Sequence, residues 1–262
     1  MSFADPVALG RTGLRVGRLG IGSSYGVPAS ALEEAFERGL NYFYWGSLRR
    51  KGMKEAIRHL APRHRDKLVV AIQSYSRWVG PMNRSLRRAL KSLKIDHADV
   101  LILGLYNKPP SARLMDAVVK LKERGVVRFL AISCHHRPTF QQYIRDGVFD
   151  ILQVRYNAAH RGAETEVFPY LPEDNGPGVT AYTATRWGKL MQSSKIPSNL
   201  KRPTAVDCYR FVLTHPSVHL TMTAPKNAAQ MRENLATLEA APMSSEEMSW
   251  MREVGDVVHG SP

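Results

Sequence analysis

Between residues 9 and 238 the chain repeats one unit: a short apolar run, then a stretch with helical periodicity. The runs fall at 41–45, 67–72, 99–103, 126–132, 150–154, 178–182 and 218–222, after a glycine-punctuated segment at 9–22 that reads as a hairpin leading into a first strand. The intervening segments carry helix signals. Ser30 and Glu33 have the spacing of a capping box, and Gly39 is a natural stop for the helix they would open. Further helices are predicted over 53–60, to Leu93, over 114–124, 137–145, 164–170, 204–213 and 228–238. Ser244 and Glu247 form a second capping box, opening a C-terminal helix to about Val257. Eight strands alternating with eight helices predict a parallel sheet closed on itself: an α/β fold, the (β/α)8 TIM barrel, with an N-terminal β-hairpin and a C-terminal extra helix. At 262 residues the chain is close to the ~250 typical of one such barrel, so a single domain over 1–262 is expected. The stretch 186–202, rich in Gly, Ser, Lys and Pro, is the least regular and is predicted to be a mobile loop over the barrel mouth.

Composition narrows the function classes. No apolar run approaches the roughly 20 residues of a membrane span. The N-terminus lacks the basic and apolar regions of a secretory signal. Two cysteines, Cys134 and Cys208, exclude a disulfide scaffold and point to a reducing, cytoplasmic setting. There is no CxxC or HExxH spacing, so no metal site is predicted. The formal net charge of +14 favours anionic partners. The basic residues, however, are divided among Arg49 to Lys54, Arg84 to Lys94 and Lys120 to Arg124, without interleaved aromatics. That spread reads as solvated outer helices rather than a nucleic-acid surface.

The second strand is the most informative. Asn41-Tyr42-Phe43-Tyr44-Trp45 is apolar and aromatic, then gives way to Gly46-Ser47-Leu48 and Arg49-Arg50-Lys51. The C-terminal end of a barrel strand points into the active site. Here that end presents Tyr, Trp, Gly and Arg, with no carboxylate.

Four segments, in order, resemble the aldo-keto reductase superfamily: 9–22, 85–103, the pair 125–133 and 150–157, and the helix containing Gln230-Met231-Arg232-Glu233-Asn234. The resemblance implies NADP(H) as cofactor, carbonyl reduction as activity and a small-molecule ligand in the barrel mouth. It also implies a catalytic Asp, Tyr, Lys and His at positions 44, 49, 73 and 104. The chain carries Tyr44, Arg49, Gln73 and Gly104, so all four roles are vacated together. The cofactor side is better kept. Ser133 and Gln153 match the residues that meet the nicotinamide carboxamide, Tyr182 the aromatic on which the ring stacks, and Lys226 a base for the 2′-phosphate. Glu233 and Asn234 match the helix that grips the adenosine end. Gly22 and Ser23, closing the first strand, complete the expected cofactor set. Pro225 removes an N–H that could have held phosphate.

Tyr44 and Arg49 are the candidate replacement catalysts: a phenol can serve as acid if a neighbouring cation lowers its pKa. The alternative is that Tyr44 and Trp45 fill a pocket. Tyr25 and Tyr106 are expected to face the same mouth. Cys134-His135-His136 could suggest a thiolate pair, but sequence neighbours on a strand point apart, and loop or helix-cap histidines are the simpler reading. Three functions are compatible with this sequence: a divergent oxidoreductase with non-family catalytic residues, a non-catalytic nucleotide or ligand sensor or scaffold, and a non-redox enzyme reusing the mouth.

Overall fold

The computed structural model describes residues 2–23, 25–46 and 50–259. Two short strands, β1 (Val7–Ala8) and β2 (Arg15–Val16), pair antiparallel with Val7 opposite Val16. The turn between them is pinned by Leu9 N–H on the Leu14 carbonyl at 2.8 Å and by the Thr12 hydroxyl on the Leu9 carbonyl at 2.7 Å. The parallel barrel follows: β3 (Leu19–Gly22), α1 (Ala29–Glu37), β4 (Tyr42–Trp45), α2 (Lys51–His64), β5 (Val69–Ser74), α3 (Val79–Leu93), β6 (Ala98–Leu103) and α4 (Ala112–Glu123). Its second half is β7 (Val127–Cys134), α5 (Thr139–Asp146), β8 (Ile151–Arg155), α6 (Ala163–Glu166), β9 (Gly178–Tyr182), α7 (Lys189–Gln192), α8 (Ala205–Thr214), β10 (Leu220–Thr223) and α9 (Ala228–Leu235). β10 pairs with both β9 and β3, which closes the eight-stranded ring. α10 (Ser245–His259) packs outside it.

Alternation along each strand divides the apolar residues into two layers. Tyr42, Val69, Val100, Ile102, Ala131, Ile151 and Leu220 fill the barrel interior, and Leu9, Leu14 and Val16 of the hairpin join them as a plug. Phe43, Val70, Leu101, Ile132 and Leu152 face outward and pack under the helices. The plugged end is also tied by buried polar groups. Asp99 accepts Val70 N–H at 2.8 Å and binds Arg65 and Arg128 at 2.8 and 2.9 Å. Asp150 repeats the device two strands on, accepting Leu130 N–H at 2.9 Å and Lys122 Nζ at 2.7 Å. The plugged end is thus committed to stability and the other end is left for function.

Three local expectations need correction or refinement. α1 starts at Ala29 behind Pro28 with no side-chain cap, and Glu33 pairs instead with His59 at 2.8 Å, so Ser30 and Glu33 form no capping box. The helix begins one residue before the serine, so Ser30 lies inside the first turn and not at the N-cap position from which its hydroxyl could cap. The predicted helix over 164–170 is one α turn followed by a 3-10 turn at Phe168–Tyr170. Proline at 169 withholds the N–H that would continue the α-helix. The stretch 186–202 contains α7 and buries Leu190 and Ile196. The Ser244–Glu247 box is present in both directions, at 3.3 and 2.9 Å. Among the described residues no helix is long and apolar enough to cross a membrane.

Candidate active site

The C-terminal ends of β4 and β5 carry a small hydrogen-bonded cluster. Tyr44, at the end of β4, donates its hydroxyl to the Gln73 side-chain oxygen and lies 3.5 Å from the Tyr75 hydroxyl. Two glycines make room for it. A Cβ at Gly46 would collide with the Tyr44 ring, and one at Gly104 would overlap the Gln73 amide and lie 2.7 Å from the Tyr75 ring. Gly104 is therefore the space into which Gln73 and Tyr75 fold, and a histidine there is sterically incompatible with this arrangement. Arg49 lies outside the described residues.

The electrostatics run against an acidified phenol. Burial, followed by the hydrogen bond to Tyr75 and the other nearby tyrosines, pushes the Tyr44 hydroxyl well above the ordinary tyrosine pKa. Tyr182 is pushed up as well, chiefly by burial. His135 stacks offset on the Tyr182 ring, centroids 6.4 Å apart and planes 26° apart. Burial and then Arg155 lower its pKa, so the imidazole is neutral near pH 7. Cys134 is buried, donates to the His136 carbonyl at 3.0 Å and has its pKa raised by burial, which removes the thiolate reading. His136 meets the Thr139 hydroxyl at the start of α5, 3.0 Å away, as a helix-cap residue would. Tyr106 does not face the mouth: it is buried under the Arg77 guanidinium at 3.8 Å and donates to the Ser76 carbonyl. Among the described residues no group of three or more His, Cys, Asp or Glu could hold a metal.

From this cluster a cavity of about 930 Å³ runs across the mouth to α9, where Gln230, Glu233 and Asn234 line it. It brings together Gly22, Gln153, Tyr182, Lys226, Glu233 and Asn234 of the sequence-predicted cofactor set, with Tyr44 and Tyr25. Ser133 and Ser23 are buried and do not line it, and the Ser133 hydroxyl oxygen accepts Leu105 N–H at 3.0 Å. At the far end the Asn234 amide donates to the Thr223 hydroxyl at 2.6 Å, and the Tyr209 hydroxyl reaches the same Thr223 oxygen at 3.1 Å. Lys226 is exposed; its backbone N–H is held by the Gln230 side chain at 2.9 Å, and its ammonium sits 5.9 Å from the Tyr25 ring centroid. No described carboxylate pairs with it.

Tyr75, His135 and Trp187 line the cavity without having been singled out for it. Tyr75 was recoverable, because it stands two residues beyond Gln73 and so shares its face. Trp187 was not. It reaches the cavity because Arg186, Trp187 and Gly188 all have positive φ, at 49°, 54° and 85°. Non-glycine residues rarely hold that conformation, and such strain gathers at binding sites.

Comparison with known proteins gives consistent matches. A sequence model described as the aldo/keto reductase family matches residues 29–207. An uncharacterized oxidoreductase of Bacillus subtilis is 21% identical over 89% of both chains. L-galactose dehydrogenase of Arabidopsis thaliana is 24% identical over 92% of this chain and 91% of its own. In structure, the holo form of an aldo-keto reductase from Bacillus halodurans superposes with a TM-score of 0.80 at 20% identity, covering 97% and 96% of the two chains. A Klebsiella pneumoniae aldo/keto reductase in complex with NADP and acetate gives 0.77 at 19% identity over 95% of each.

Proposed function

The chain belongs to the aldo/keto reductase family, and from that premise we propose that it binds NADP(H) along the mouth cavity but does not run the family's tetrad-based carbonyl reduction. The observation that carries this reading is the continuity of the cavity, which joins Tyr44, Gln153 and Tyr182 at one end to Lys226, Glu233 and Asn234 at the other. Its volume lies within the roughly 300–1,000 Å³ of ordinary ligand sites.

The residues suit a phosphorylated dinucleotide. Lys226 offers a cation with no carboxylate partner among the described residues, and Tyr182 offers an aromatic face whose buried hydroxyl has no hydrogen-bond partner among them. Gln153 supplies an amide, and Glu233 and Asn234 supply polar groups at the far end. The cofactor, when bound, supplies hydride. This chain's residues orient it, while Tyr75 offers a hydroxyl hydrogen bond to a carbonyl oxygen in the mouth and the one Tyr44 proton is held by Gln73. What they do not offer is a ready proton, because the Tyr44 pKa is raised rather than lowered. Occupancy rather than turnover is then the output, as in a nucleotide or ligand sensor. The buried, free thiols of Cys134 and Cys208 suit a reducing cytoplasm.

One observation favours a second reading. The Tyr75 hydroxyl lies in the same cavity, 3.5 Å from that of Tyr44, so a slow reductase that polarises the carbonyl through Tyr75, positioned by Tyr44, and takes its proton from water is chemically coherent. A titration with NADPH and NADP⁺, followed by fluorescence or calorimetry and then by a panel of aldehydes, separates the two. Binding without turnover is expected. Slow turnover lost in Tyr44→Phe supports the second reading, and absence of binding at millimolar cofactor overturns both.

A further inference from the structure

A second cavity, of about 490 Å³, lies between the segment after β9 and the end of α10. Arg186, Lys189 and Lys195 line it with His259, and no described carboxylate does. Trp187, Gly188 and Gln192 line this cavity and the mouth cavity alike, so the Trp187–Gln192 turn is a partition with a different chemistry on each face.

The cations are presented by a fixed frame. Ile196 is buried in the core, Arg202 donates to the Ser193 carbonyl at 2.9 Å, and Arg186 donates to the Val258 carbonyl across the cavity. The His259 ring packs edge-on against His160, centroids 5.0 Å apart. Nearby acids are engaged elsewhere: Asp256 binds Arg161 at 2.7 Å, and Glu164 binds Arg252 at 2.8 Å. Arg155 adds its charge from the end of β8, without an ion pair to any described residue. Burial first, and then the charges of Arg155, Arg186 and His259, lower the His160 pKa to about 4.

Like charges gathered around a concave site repel unless an anion joins them, and a compact ammonium on a flexible stem is a common phosphate ligand. The Ser193 and Ser194 side chains, also at the lining, add hydroxyls of the kind phosphate oxygens accept from. We propose that this second cavity is a binding site for a phosphorylated small molecule, separate from the mouth cavity and held by Arg186, Lys189, Lys195 and His259.

The test uses inorganic pyrophosphate as probe, on the full chain without cofactor and at constant ionic strength. Calorimetry should show saturable binding. Proton NMR should show the His160 titration moving to higher pH when the probe is present. Lys189 and Lys195 are exposed, so the double variant Lys189→Glu/Lys195→Glu keeps the fold, checked by circular dichroism, and weakens binding by about tenfold or more. Lys226→Ala, on the mouth cavity, leaves in place the binding component that the double variant removes, which makes this outcome independent of dinucleotide binding. The proposal is overturned by no binding beyond that of chloride, by binding that Lys226→Ala removes and the double variant does not, or by citrate binding as tightly as pyrophosphate.

Discussion

Lys226→Ala tests the reading of the mouth cavity at its most charge-dependent point. The Lys226 side chain is exposed, its nearest ring is 5.9 Å away, and the backbone at 226 is held by Gln230 independently of the ammonium. Truncation therefore removes a charge without disturbing the loop, and stability should change by less than about 0.5–1 kcal/mol, the range for an exposed cation–π contact. A unit charge pair at about 4 Å is worth roughly 1 kcal/mol in water and about 4 kcal/mol at the dielectric of a protein surface. For so exposed a lysine the lower figure applies, and a phosphate monoester carries about −1.5 to −2. The loss is then about 1.5–2 kcal/mol, or about 10- to 30-fold in NADPH affinity. NADH, which lacks the 2′-phosphate, should bind the two proteins alike. Fluorescence titrations of both cofactors at roughly 0.05 and 0.5 M salt read this directly, and the NADPH difference should shrink at the higher salt. Equal weakening of NADH and NADPH, or no weakening of either, would refute the assignment of Lys226 to the phosphate.

Asp99→Asn should destabilise the fold by about 3–5 kcal/mol in chemical denaturation, because Arg65 and Arg128 lose the buried carboxylate they share. Gly255→Ala drives a Cβ into the Ala158 carbonyl, so α10 must shift; a loss of about 1–3 kcal/mol is expected from the melting curve. Tyr44→Phe removes one hydroxyl and its bond to Gln73; about 0.5–1.5 kcal/mol should be lost, with NADPH affinity unaltered. His160 titrates near pH 4 in the folded state against about 6.5 unfolded, so the unfolded chain takes up its proton first. Its contribution to stability is complete above about pH 6.5 and is lost as pH falls toward 4, and His160→Gln should flatten that part of the denaturation profile. An NMR titration showing His160 protonated at pH 6 would contradict this.

The residues at the strand ends were legible in the sequence because their neighbours mark the register. Asn41-Tyr42-Phe43 places Tyr44 at the strand end whether or not Tyr44 does anything there. What those strand-end residues pack against was not legible. Gly104 reads as a lost histidine, yet its physical role is to admit the Gln73 amide and the Tyr75 ring, and that is a contact between β5 and β6. Tyr106 shows the converse: the loop after β6 was expected to present it to the mouth, and the Arg77 guanidinium holds it in the core instead.

Strand–helix alternation, apolar periodicity and glycine stops act over a few residues, so the chain by itself determined an eight-unit parallel barrel, its hairpin and its last helix. It likewise determined which side chains stand at positions 44, 49, 73 and 104: Tyr, Arg, Gln and Gly. Direction of pKa, pairing of charges and the joining of cavities depend on groups far apart in sequence. Only the tertiary structure could decide that burial among tyrosines raises the Tyr44 pKa. The left-handed run at residues 186–188 sets a turn between two cavities, and it brings three cations of that segment against His259 at the end of the chain.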